Sequence, residues 1–177
     1  VLRAALSRAM DWGLIDNHPM RKVKRSKVDS EAKIRYLTPD EDKRLQAALD
    51  AREDKRRKQR IDFNEWRRVR GFQVFPEHGY FTDHLKPIVQ LALNTGMRRG
   101  ELFSLTWESV NFAGRILTVA GSTAKSGKTR HIPLNDEAFE VLRAWRRQRP
   151  GGDLVFPADD GRKMDNINSS WRRLMKD

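Results

Sequence analysis

Two short stretches of this chain hold side chains whose types and spacing suit chemistry on an anion. The first is "NTGMRRGEL" at residues 94–102, where Arg98 and Arg99 stand between a glycine and Glu101. A guanidinium stays charged at any ordinary pH and is almost never fully buried without an anionic partner, yet the residues around this pair look buried. The internal candidate for that partner is Glu101, one helical turn beyond Arg98. The external candidate is a phosphate, whose oxygens match the forked donors of a guanidinium. The second stretch is "TAKSGKTRHIPLN" at 123–135, where Lys125 and Lys128 flank a Ser126-Gly127 turn signal. There Lys128 and Arg130 either reach phosphates or alternate outward from a strand.

Composition points to the same partner. The net charge is +12 over 177 residues and the pI is near 10.5. Nucleic acid is the leading partner for such a surface, because neutralising phosphates releases condensed counterions. No run approaches the roughly 18 apolar residues of a membrane span, and no signal-peptide pattern opens the chain. A soluble protein is expected. There is no cysteine, hence no disulfide, thiol nucleophile or cysteine-based zinc site. His18, His78, His84 and His131 show no metal-ligand spacing, so neither a metal nor a cofactor is expected.

These side chains need elements to hold them. "VLRAALSRAMDWGLI" carries Leu2, Ala5, Leu6, Ala9 and Leu14 at helical spacing with no start signal before them, and reads as the last helix of something longer. From Arg21 to Lys27 there are five basic residues, Lys22 and Arg25 among them, and no acidic one. This is an exposed linker, either a solvated tether or one lying along a phosphate backbone. At "LTPDEDKRLQAALD" Thr38 caps a helix, Pro39 suits its first position and Glu41 completes a capping box. Residues 51–81 read as a basic insertion, its charge run either a solvated helix face or a nucleic-acid contact, pinned to the body by Phe63 and Trp66. "FTDHLKPIVQLALNTG" reads as a core helix capped by Thr82 or Asp83, with Gly96 ending it in the left-handed conformation. A short helix then buries Leu102, Phe103, Leu105 and Trp107. Three strands, "ILTV", "STAK" and "KTRHIPL", form a small antiparallel sheet with Lys125 at or beside a hairpin turn. Asn135 caps a helix with Ala138, Phe139, Leu142 and Trp145 inward and Arg143, Arg146, Arg147 and Arg149 outward. A short strand "LVF", a turn at "ADDG" and a helix "NINSSWRRLMKD" follow. The fold class is α+β, mostly helical, with a small three-stranded antiparallel sheet.

"NTGMRRGELFSLTWESV", followed after a strand by "TAKSGKTRHIPLN", resembles the first conserved region and the hairpin of the tyrosine recombinases, the phage-integrase family of site-specific DNA recombinases. "RYLTPDEDKRLQAAL" resembles the start of that family's catalytic domain. "LSRAMDWGLIDNHPMRKVK" resembles the final helix of its core-binding domain. The resemblance implies a last core-binding helix over 1–20, a basic linker over 21–35, and the N-terminal portion of a catalytic domain over 36–177, interrupted by the insertion near 51–81. It implies metal-free phosphoryl transfer, in which a tyrosine attacks a scissile DNA phosphate to form a 3′-phosphotyrosyl intermediate. In that scheme Arg98 is the first catalytic arginine, Lys125 the general acid with Lys128 its competitor, and Glu101 the acidic residue orienting the arginine. Arg99, Lys128, Arg130, Lys22 and Arg25 become candidate contacts to double-stranded DNA. The implied setting is the cytoplasm of a bacterium, on a prophage or other mobile element, with a parent protein that forms a tetramer on DNA.

The departures concern the family's histidine-and-arginine box and tyrosine nucleophile, which lie downstream of these motifs and have no counterpart here. Tyr36 and Tyr80 are the only tyrosines, and neither has the nucleophile's place in chain order. The expectation is a fragment, truncated at its C-terminus, monomeric and inactive alone. The alternative is a non-enzymatic basic module that binds or regulates DNA. Incubated with a nicked suicide substrate, the 177-residue chain should form no covalent adduct. A denaturation-resistant protein–DNA band on a gel would overturn this expectation.

Overall fold

The capping box expected at Thr38 forms: its Oγ1 accepts the Glu41 N–H at 3.2 Å, and Glu41 Oε2 accepts the Thr38 N–H at 3.0 Å. In this computed structural model, which describes residues 2–24, 35–121, 127–149 and 151–176, that box opens α2 (Pro39–Val69). The chain divides into two compact units, residues 1–37 and 38–177. The first holds α1 (Leu2–Asp11), none of whose residues is buried. Within that unit Ser7 Oγ lies 3.2 Å from His18 Nε2, and the Arg3 guanidinium donates to the Val23 carbonyl.

Residues 51–69 continue α2, which runs 31 residues. No glycine or proline interrupts 40–70, and the Arg, Lys, Glu and Gln that fill it are good helix formers. Gly71, at φ 72°, turns the chain back, and 72–84 returns along the helix as irregular structure. The return is tied down by polar groups. Glu53 is 2% exposed and accepts the Thr82 N–H at 2.7 Å and hydroxyl at 3.1 Å. Arg52 makes a two-pronged pair with Asp83, and Arg57 donates to the Tyr80 carbonyl. Asn64 exchanges two hydrogen bonds with the Phe75 backbone, at 2.8 and 2.9 Å. The expected anchoring role of Phe63 and Trp66 is not met. Both remain nearly half exposed, Phe63 stacked on Phe75 and Trp66 on Phe72 of the returning strand, with Arg67 over three of the rings. Their position past the end of the core leaves them each other, the rings of the returning segment and the arginines as partners.

Behind this lies the core. α3 (Leu85–Thr95) packs against α5 (Asp136–Gln148), burying Leu91, Leu142 and Trp145 completely. Of the two residues expected to cap α3, Asp83 accepts the Leu85 N–H at 2.9 Å while Thr82 is engaged by Glu53. Asn135 caps α5 as expected, its Oδ1 accepting the Ala138 N–H at 2.9 Å. Trp145 satisfies its ring N–H on the Val155 carbonyl at 2.6 Å. A second apolar cluster joins Leu49 of α2 and Leu85 and Val89 of α3 to Leu174 of α6 (Asn168–Leu174).

Between α4 (Arg99–Phe103) and α5 lies the three-stranded antiparallel sheet: β1 (Val110–Asn111), β2 (Ile116–Val119) and β3 (Arg130–Pro133), in that order. Leu117 pairs with Ile132 and Val119 with Arg130. β1, two residues after a 3-10 turn, takes a place not expected from the sequence, while "STAK" lies outside the described residues. "LVF" forms only a bridge, Thr106 to Leu154, rather than a strand.

Replacing Glu53 by Ala would leave the Thr82 N–H and nearby guanidinium groups without their buried acceptor. The loss should be on the order of 2–4 kcal/mol, seen as a lower urea midpoint. An unchanged midpoint would show that this network does not hold the returning segment.

Candidate functional site

Gly96 ends α3 with φ 62°, and its N–H donates to the Ala92 carbonyl at 2.9 Å, as the left-handed helix ending requires. Met97 is buried behind the turn, and Arg98 follows in an extended conformation, immediately before α4. Burial of Leu102 and Phe103 pulls the first turn of α4 onto the core and carries Glu101 with it. Glu101 is 3% exposed. Its Oε2 accepts the Arg98 backbone N–H at 2.8 Å, and its Oε1 accepts Arg98 Nη1 at 3.3 Å. The internal partner expected for Arg98 is therefore present, but it engages one edge of a guanidinium that stays 57% exposed.

Glu101 has a second partner. Arg130 Nη1 donates to Oε1 at 2.9 Å and Nη2 to Oε2 at 2.7 Å, the parallel two-bond geometry of a strong arginine–carboxylate pair. Arg130 therefore does not alternate outward from its strand. In β3 it shares a face with half-buried Ile132, while His131 and Pro133 are exposed. This period-two alternation was a signal available in the sequence: a residue two before an inward isoleucine is itself inward. The sequence reading missed the pairing with Glu101, which lies 29 residues away.

The three residues form one electrostatic unit. The hydrogen bonds from Arg130 hold the Glu101 carboxyl down to about 2, against the upward push of burial, with the backbone and side chain of Arg98 adding to the effect. Two cations share one anion, leaving a net positive charge whose exposed part is Arg98. Of the other sequence-predicted residues, Arg99 is exposed at the start of α4 and Lys128 is exposed just before β3. Lys22 is exposed in the unit of residues 1–37. Lys125 and Arg25 lie outside the described residues. Among the described residues no group of three His, Asp or Glu side chains is placed to hold a metal ion. A concavity of about 610 Å³, lined by Tyr80, Phe81, Gln90, Glu137, Val141 and Gln148, lies elsewhere and contains none of the three.

The model of the phage integrase family matches residues 75–177. The integrase of Salmonella phage P22 is 27% identical over 187 residues, covering 99% of this chain and 38% of that protein. The chain thus spans about two fifths of that relative's length. Among solved structures, the Tn1549 transposon integrase in complex with a circular intermediate DNA has a TM-score of 0.61 at 18% identity, covering 99% of this chain and 55% of that one. A lambda integrase tetramer bound to a Holliday junction has a TM-score of 0.58 at 20% identity, covering 99% of this chain and 43% of that one.

The lowered Glu101 carboxyl sets a pH dependence. A group whose ordinary value is 4.5 and whose folded value is about 2 contributes stability that is complete above 4.5 and is lost as pH falls toward 2. Glu101→Gln should cost on the order of 3 kcal/mol near neutral pH. The stability gap between wild type and variant should then narrow steadily across that acid range. A gap that stays constant with pH would show that Glu101 is not held ionised by the two arginines.

Proposed function

We propose, on the premise that the chain belongs to the phage integrase family, that the full-length protein containing it is a site-specific recombinase that cuts and rejoins double-stranded DNA. In this reading a tyrosine supplied outside these residues attacks the scissile phosphate. The bond from its oxygen to phosphorus forms as the bond from phosphorus to the 5′ oxygen breaks, and a proton must reach that leaving oxygen. Arg98 donates to the nonbridging oxygens, on which negative charge builds in the transition state. Glu101 aims it from behind. Lys125, from its place in the hairpin motif, gives the proton, and reversal of the steps rejoins the strand.

The observation that carries this reading is the exposed guanidinium of Arg98, fixed by a buried carboxylate at a helix start yet with most of its donors turned to solvent. Arg99, Lys128, Lys22 and Arg25 contact backbone phosphates in this scheme, positioning the duplex without reading its bases. The protein works in the cytoplasm, where its DNA is, and assembles on that DNA as a tetramer. In the full-length protein, Arg98→Ala should slow cleavage of the site by on the order of 10³-fold while weakening binding only slightly. Arg98→Lys should also be impaired, because an ammonium lacks the planar fork. Equal loss of affinity and of salt dependence, with no separate effect on cleavage, would instead mark a binding module without chemistry.

A further inference from the structure

Arg98 and Arg130 do not share Glu101 equally. Arg130 takes both carboxylate oxygens, at 2.9 and 2.7 Å, whereas the Arg98 guanidinium has one longer bond of 3.3 Å. The stronger pair therefore sets the orientation of the carboxylate, and the weaker one inherits it. Two consequences follow from charge and connectivity. With both oxygens already engaged by one cation, Glu101 cannot neutralise Arg98, so the exposed guanidinium keeps its charge for a ligand. Arg130 also begins β3, two residues after Lys128 in the chain, while Glu101 lies in the first turn of α4, which Arg98 precedes. The same ion pair thus joins the start of β3 to the helix start that carries Arg98.

We propose that Arg130 is a positioning residue for phosphoryl transfer: through Glu101 it aims Arg98 at the scissile phosphate. It touches no DNA phosphate in this role, since its terminal nitrogens are committed to Glu101. The proposal rests on the recombinase reading above, and the experiment separates the two.

In the full-length protein, Arg130→Met keeps an unbranched, flexible stem, shorter than arginine's, and removes the guanidinium donors, while Arg130→Lys restores a charge near Glu101. Single-turnover cleavage of a bound suicide substrate and binding of the uncut site are measured for each, beside Glu101→Gln and the Arg130→Met/Glu101→Gln pair. We expect Arg130→Met to bind the site within about threefold of wild type and to cleave about 10- to 100-fold more slowly. Arg130→Lys should recover much of that rate. Because Arg130 acts through Glu101, the double variant should be little slower than Glu101→Gln. Wild-type cleavage by Arg130→Met, or by Arg130→Lys and Arg130→Met alike, would overturn the proposal. So would rate losses that multiply in the double variant, or affinity that falls in step with rate, which would make Arg130 a DNA contact. Arg98→Ala, run alongside, tests the underlying reading: if it cleaves normally, the recombinase site itself is misplaced, whatever Arg130 does.

Discussion

A single buried carboxylate, Glu101, is the point to which the candidate site is anchored. An ionised carboxylate withdrawn from water is costly unless its lone pairs are met, and here four N–H donors from two arginines meet them. Satisfying that group constrains everything around it. The turn at Gly96 must deliver Arg98 to the start of α4, α4 must lie on the core through Leu102 and Phe103, and β3 must present Arg130 inward rather than to solvent. The local rule that charged residues avoid the interior is kept by concentrating the charges on one another. Since the donors outnumber the acceptor in charge, the arrangement closes toward the core and remains positive toward solvent.

The basic stretch of α2 follows the same physical logic in another place. Its composition suggests a helix whose charges point into water, with the aromatic residues turned in. The structure reverses the second half of that picture. Polar Glu53 and Asn64 are the buried residues, and Phe63 and Trp66 stay half exposed. The reason is that α2 projects past the core, so nothing apolar is available to cover it beyond the few aromatic residues of its own return. Irregular backbone, by contrast, has unpaired N–H and carbonyl groups that demand partners. Arg57, Arg60, Arg67 and Asn64 meet that demand through the carbonyls of Tyr80, Pro76, Gln73 and Phe75. A run rich in arginine is therefore partly an internal adhesive here.

How far the sequence could be read depended on the span of each interaction. The Thr38 capping box, the Gly96 turn, the Asn135 cap and the pairing of Arg98 with Glu101 all join residues at most four apart, and each follows from local rules of helix geometry. The fold class and two of the sheet's three strands, β2 and β3, were legible too, because apolar periodicity changes from helical to alternating near Ile116. The pairs Arg130–Glu101, Arg52–Asp83 and Glu53–Thr82 join residues about thirty apart, and no local pattern announces which acid a given arginine will find. β1 escaped for a different reason: two residues are too few to show a period. The full length of α2 is hidden because its apolar stripe stops near Leu49, although its backbone propensity continues to Val69.

The division of labour between the two arginines explains why one acid suffices for both. Arg130, a third exposed, is bound in the parallel geometry that satisfies both oxygens; Arg98, more than half exposed, is held at its backbone N–H and by one guanidinium nitrogen. In the proposed reaction a donor to the transition state must be oriented before the substrate arrives, so that no reorganisation is required at the moment of reaction, and yet must not be spent on the protein. Holding Arg98 chiefly by its main chain satisfies the first condition, and giving the carboxylate's oxygens to Arg130 satisfies the second. A lone Arg98–Glu101 pair could meet one condition only by failing the other, since the acid close enough to aim the guanidinium would also neutralise it.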